Sequence, residues 1–345
     1  MAVEKTDAGI RIDWDRARTV FGTLLRRMRA NGYPYCLPEA QPPQIESNLP
    51  RTLIRGGVEH ANFLFILCYW MRGGIESDTA ITSLARLHED YSYIFRPRAA
   101  RMIDPVFITG LLRAYNLGFS SDEIGRHWVL NARRLDELYG GSAIALFDGV
   151  SDYATACERI RNHRGNGFHG FQEKMVSMLI YFLLDSGFIT GFPHPIPVDF
   201  HVLRTLVSTE ILVWPNASQG NHYHPKLLQV ARRLLQGFCE TERVDPRDLC
   251  NALWLFSRTF CRHHPGNKSA VGERNGRKTP VGPTDIAWTV AQRRSYDRYC
   301  GHCPIESFCR WQIPSAPYYI QGRLITRGLR AKPPQGSLGL WHNPL

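Results

Sequence analysis

Three cysteines toward the end of the sequence stand at a spacing that binds metal. Cys300-Gly-His-Cys303-Pro-Ile-Glu-Ser-Phe-Cys309 is a C-x2-C-x5-C run. Thiolates are soft ligands, and several close together select zinc or an iron–sulfur cluster. Structural zinc usually takes two short-spaced pairs. Here one pair is followed by a single cysteine, which better suits the corners of a cubane [4Fe-4S] cluster. A fourth ligand must come from elsewhere, and Cys261, at the end of the helix-like Leu-Trp-Leu-Phe-Ser-Arg-Thr-Phe-Cys, is the natural candidate. Cys250 lies about three helical turns earlier on the same face and competes for that role. Zinc, with His263, His264 or His302 completing its shell, is the alternative.

Composition sets the surroundings for that chemistry. The chain has 345 residues, enough for one large or two modest domains, and a formal net charge of +11. A surplus of that size suits a polyanionic partner. The stretch MAVEKTDAGIRIDWDR is polar and charged, unlike a secretory signal. No window approaches the roughly 18–20 continuous apolar residues of a membrane span. A reducing cytoplasm is therefore expected, where the nine cysteines serve as metal ligands or buried thiols rather than disulfides. Cys36, Cys68, Cys157 and Cys239 are expected in the core.

The elements that must position these groups read as helical almost throughout. Apolar residues recur at helical spacing over 13–30, 80–87, 105–117, 124–139, 151–162, 226–240 and 246–258. The short apolar run Asn-Phe-Leu-Phe-Ile-Leu-Cys-Tyr-Trp-Met over 62–71 predicts a buried helix ending at Gly73-Gly74. Val198-Asp199 opens another helix, expected to run to about Val213. Residues 34–50 are rich in proline and read as a connector. Residues 262–298 are polar and glycine-rich and carry Lys268, Arg274, Arg277, Lys278, Arg293 and Arg294. They read as a long basic loop, of a kind that is functional or disordered in compact domains. The segment from about 330 onward lacks periodicity and is expected to be poorly ordered.

With these residues in view, the chain resembles the helix-hairpin-helix DNA glycosylases, in particular the iron–sulfur branch of endonuclease III and adenine glycosylase. That branch carries C-x6-C-x2-C-x5-C, and Arg-Tyr-Cys-Gly-His-Cys-Pro-Ile-Glu-Ser-Phe-Cys-Arg-Trp is similar to its last three cysteines and their surroundings. The chain departs from it between Cys261 and Cys300, where the basic insertion replaces a short loop. Phe168-His-Gly170-Phe-Gln172-Glu-Lys174-Met-Val resembles the family's hairpin, L-P-G-V-G-R-K-T-A. Pro197-Val-Asp199-Phe-His-Val-Leu-Arg204 resembles its V-D-T-H-I-F-R segment. The longer spacing between these two, with Gly-Phe-Ile-Thr-Gly-Phe-Pro-His-Pro-Ile-Pro-Val-Asp, is similar to the archaeal 8-oxoguanine glycosylases. The likeness spans roughly 62–311.

The resemblance implies an all-α fold of two helical lobes with a helix-hairpin-helix and a cluster loop. Residues 59–215 would form the catalytic lobe and 216–315 the cluster lobe, with 1–58 packing on the latter and 316–345 as a tail. It implies a monomeric, nucleoid-associated base-excision enzyme acting on double-stranded DNA with a damaged or modified base. Whether it also has AP-lyase activity stays open, and a non-catalytic DNA-binding protein with a structural cluster is the alternative. The implied catalytic residues are Lys174 and Asp199, facing a cleft between the lobes. Breaking an N-glycosidic bond leaves positive charge on the sugar, which a fixed carboxylate stabilises. A lysine amine can attack C1′ and form a Schiff base that permits strand cleavage; Lys174 falls at a helix start, whose potential disfavours an ammonium. Gly170 and Gln172 of the hairpin and Arg204 are implied phosphate contacts, with Gly165 and Gly167 close by. Gln172 replaces a hairpin glycine and so disfavours positive φ. Arg72 and Ile75 are candidates for the wedge that fills the gap left by an extruded base, and Tyr69 or Trp70 for stacking on that base, although core packing also explains both aromatics. Asp199 also fits a plain helix N-cap.

Overall fold

A computed structural model describes residues 3–6, 9–40, 45, 48–70, 77–115, 120–161, 167–192, 194–213, 225–261, 271–274, 277–280, 294, 298–309, 318–320 and 323–325. The fold is all-α, and the chain divides into two compact units. One unit joins residues 1–41 to 198–345; the other is continuous, 42–197. The division at 198 differs from the expected one at 215, so Asp199 and its helix belong with the cysteine-bearing unit.

The discontinuous unit begins with two short strands, β1 (Val3–Lys5) and β2 (Arg11–Asp13), and helix α1 (Trp14–Arg29). Asp13 caps α1 by accepting from the Arg16 amide at 2.9 Å. One apolar face of α1, Ala17, Val20, Phe21, Leu24 and Leu25, is buried.

The continuous unit follows, with α2 (Val58–Trp70), α3 (Ser77–Tyr91), α4 (Pro97–Ala100), α5 (Pro105–Ala114), α6 (Ser121–Tyr139), α7 (Tyr153–Ile160) and α8 (Glu173–Asp185). Helix α2 is apolar around its whole circumference, and every residue from His60 to Trp70 is buried. A helix without a polar face has to sit at the centre of its unit. Its one asparagine is fully used: Asn62 donates to the Gly141 carbonyl at 2.8 Å and accepts from the Ala143 amide at 2.9 Å. Tyr69 and Trp70 lie in this core against Trp128, which bears out the packing reading over a base-stacking one.

Helices α5 and α6 cross closely at Gly125. A Cβ there would meet the Pro105 carbonyl oxygen at 2.9 Å, and Thr109 Oγ1 nearer still. Gly125→Ala should therefore lower stability by about 1–3 kcal/mol through overpacking. Gly110 on α5 has open space around its Cβ position, so Gly110→Ala should raise stability by up to about 1 kcal/mol. Denaturant midpoints of the two variants moving in the same direction would contradict this packing.

The first unit is completed by α9 (Phe200–Ser208), β3 (Leu212–Val213), α10 (Pro225–Glu242), α11 (Pro246–Leu255) and a π-helical turn (Phe256–Phe260). The helix expected to reach Val213 stops five residues short of it. Glu210 adopts φ +55, which ends helical geometry, and Leu212 then pairs with Ile12 in a three-stranded sheet ordered β1-β2-β3. The basic insertion is not a plain loop either, since β4 (Val271–Arg274) and β5 (Arg277–Pro280) form an antiparallel hairpin within it. A second hairpin joins β6 (Tyr318–Ile320) to β7 (Arg323–Ile325). Among the described residues no helix is long and apolar enough to cross a membrane.

Candidate functional site

Asp199 is the N-cap of α9, immediately before the helix. Its Oδ1 accepts from the amides of His201 at 2.8 Å and Val202 at 3.0 Å. Its Oδ2 accepts from the indole N–H of Trp254 on α11 at 3.2 Å. Both oxygens act as acceptors. The carboxylate is fixed in direction by two helices of one unit, and helix α9 presents its positive end to it.

Lys174 belongs to the other unit, as the second residue of α8. Between α7 and α8 the chain turns tightly: the Phe168 amide donates back to the Ile160 carbonyl at 2.9 Å, and Gly170 has φ +82. Only glycine takes that conformation without strain, so the hairpin requires it there. Gln172 sits at φ −109, in extended geometry. The positive φ falls two residues earlier, so glutamine at 172 introduces no backbone strain. Gln172 gives α8 no side-chain cap, which leaves first-turn amides oriented as in anion-binding helix starts. The turn is braced by Asn131, which donates to the His169 carbonyl at 2.9 Å and accepts from its amide at 2.7 Å. Arg134 donates to the Gly167 carbonyl. Beneath Lys174 lies the buried Cys68 of α2: burial raises its thiol pKa well above the ordinary value, and the Lys174 charge partly opposes this.

Cys261, Cys300 and Cys303 of the first unit each respond to the charge of other cysteines. Cys261 follows the π-helical turn, and its thiol is pushed well up, first by desolvation and then by Cys309. Desolvation again leads at Cys300, followed by Cys261, Cys309 and Glu306. Cys303 is raised by desolvation, then by Cys261 and Cys309. Cys250 is buried within α11. Among the described residues, no group of three or more His, Cys, Asp or Glu side chains is arranged to hold a single metal ion.

Arg204 is not on a phosphate-facing surface. It is 6% exposed, donates to the Ser257 carbonyl at 3.3 Å, and its charge lowers the pKa of the Cys261 thiol against the larger desolvation effect. Its place in the second turn of α9 points this side chain inward, toward the π-helical turn. Arg72, Ile75, Gly165, His263 and His264, and the sequence from 326 onward, lie outside the described residues, as do most positions of the basic insertion.

Three aromatic residues of this unit escaped the sequence reading. Tyr35 is buried and donates to the Ala252 carbonyl at 2.7 Å. Tyr33 donates to the Arg298 carbonyl at 3.0 Å and sets its ring against Phe260 and His302. It therefore joins the two chain ends that flank the insertion. No local pattern flags either tyrosine, because their partners lie over two hundred residues away. Trp254 had a usable signal: Trp254, Arg258 and Cys261 follow at helical spacing on one face.

No protein-family model matches the chain, and no curated protein matches it. The solved structures it resembles include a trapped covalent intermediate of endonuclease III with DNA, an estranged-adenine complex. The two share 13% sequence identity with a TM-score of 0.48, over 87% of this chain and 97% of the other.

Proposed function

We propose that the chain is a DNA glycosylase that cleaves the N-glycosidic bond of a damaged or modified base, and that it carries a [4Fe-4S] cluster. The observation that carries this reading is the Asp199 carboxylate, held at the start of α9 by three N–H donors. A fixed anion of this kind stabilises the cationic sugar that forms as the base departs, and it needs no reorganisation to do so. Lys174 would supply the amine for covalent attack at C1′. The hairpin ahead of it, with Gly170 at positive φ and an uncapped α8, suits a backbone phosphate. The net charge of +11 suits duplex DNA.

The donor set fits the cluster. Cys261, Cys300, Cys303 and Cys309 are four soft ligands, the first three of them desolvated, and the C-x2-C-x5-C spacing of the last three suits the corners of a polynuclear core better than the paired spacing of structural zinc. When bound, the cluster would supply structural cross-linking of the loop to α11. Arg204 and Tyr35 would cover its flank.

Duplexes carrying oxidised, alkylated, deaminated or hypermodified bases test the activity. At least one should yield abasic sites, and borohydride should trap a protein–DNA adduct if Lys174 attacks. Lys174→Gln should then lose the adduct entirely, at least a hundredfold in trapped product. An unchanged yield from Lys174→Gln would remove the lysine from the mechanism. Base release by none of the substrates would leave the non-catalytic DNA-binding reading.

A further inference from the structure

Trp254 does more than fill space beside Asp199. Its indole N–H donates to Asp199 Oδ2, and it comes from a different helix than the two amides on Oδ1. The N-cap amides anchor the carboxylate through one oxygen, and the indole contact at 3.2 Å adds a restraint on the other oxygen from a second helix. The indole is itself held from two sides. The Arg258 guanidinium lies over its ring at 4.8 Å from the centroid, and the His201 ring meets it edge-on at 6.1 Å. Arg258 is buried, so this cation–π contact is desolvated and strong for its kind. A side chain clamped this way is a rigid donor rather than an adaptable one.

From this geometry we infer that Trp254 is a positioning residue, holding the Asp199 carboxylate in its orientation for the reaction proposed above. The inference rests on the glycosylase reading. Its chemical content is separate: an indole donor draws electron density from Oδ2 and so makes that oxygen a fixed electrostatic partner rather than a strong proton acceptor. Asp199 then acts by facing the sugar cation, with its aim set from α11. Arg258 acts one step further back, by holding the indole.

The test separates the hydrogen bond from the packing. Replacing Trp254 by benzothienylalanine exchanges the indole N–H for sulfur while keeping ring size and stacking; Trp254→Phe is the encodable counterpart. In single-turnover base release on the substrate found from the duplex panel, both should slow the chemical step about tenfold or more with DNA affinity unchanged, the effect of losing one hydrogen bond to a charged group. Thermal stability of the benzothienyl protein should match wild type. Wild-type rates in that protein would overturn the proposal, as would equal losses in rate and in DNA binding. A second readout does not depend on activity. The indole 15N–1H resonance of Trp254 should lie downfield in wild type relative to Asp199→Ala. Coincident resonances would show that no such hydrogen bond exists and would overturn the proposal. A shifted resonance in a protein that releases no base would instead retain the bond and overturn the glycosylase reading, and with it the catalytic role of Trp254.

Discussion

Asp199→Asn should suppress base release about a thousandfold while leaving duplex binding and folding near wild type. Asparagine is nearly isosteric with aspartate and remains a good N-cap, so its side-chain oxygen can still receive the His201 and Val202 amides. What it removes is the negative charge, together with the acceptor for the Trp254 indole N–H. Single electrostatic contacts to a transition state are worth on the order of 10²–10³ in rate, and a full charge facing an oxocarbenium-like sugar belongs at the upper end, about 4 kcal/mol. Asp199→Ala makes the contrast. It removes the charge and the cap together, so it should also lose about 0.5–2 kcal/mol of stability. Base release by Asp199→Asn within tenfold of wild type would reduce Asp199 to a structural cap.

The other large effect concerns the thiols. Cys300→Ser should abolish retention of iron and inorganic sulfide, bleach the visible absorbance of the purified protein and sharply lower the yield of folded chain. Binding of a structural metal centre is coupled to folding, and its loss withdraws on the order of 10 kcal/mol from the apparent stability. Cys261→Ser should do the same, whereas Cys239→Ser should not. Cys239 is a buried thiol of α10 whose pKa burial pushes up to about 12, with Asp245 and Glu240 adding to it. It controls for the loss of any buried sulfur. Cys250→Ser sharpens the assignment, because it should keep the iron if Cys261 is the ligand. Stoichiometric zinc in the wild-type protein, or full iron content in Cys300→Ser, would defeat the cluster.

The helices were legible in the sequence because each buries a stripe at its own period, and because punctuation marks their starts. Asp13, Asp104, Asp152, Asp199 and Asp245 all act as caps through their side chains. Strands of two to four residues carry too few positions for a period of two to show. That is why β1, β2 and β3 went unseen and α9 was drawn too long. The hairpin glycine was placed by its pattern, but which hairpin position needs positive φ depends on the path of the turn, and it proved to be Gly170 rather than 172. Arg204 misled for a different reason. An arginine on a half-buried helix is expected to reach for water, yet here a backbone carbonyl and a thiol-rich interior receive it. Neither partner is visible from the seven residues around it. The Trp254–Asp199 contact bridges 55 positions and was out of reach for the same reason.

The unit that holds the cysteines is assembled from both ends of the chain, with the whole of 42–197 in between. Tyr35 is hydrogen-bonded to Ala252, 217 residues later. At ribosomal speeds of about 5–20 residues per second, the apolar stripe of α1 waits on the order of ten to forty seconds for its partners to be made. During that interval the intervening unit has all of its own sequence and can fold, while Val20, Phe21, Leu24 and Leu25 remain uncovered. The nascent chain therefore displays an uncovered apolar stripe until α10 and α11 have left the tunnel, and the last cysteines can be gathered only after synthesis has passed residue 309.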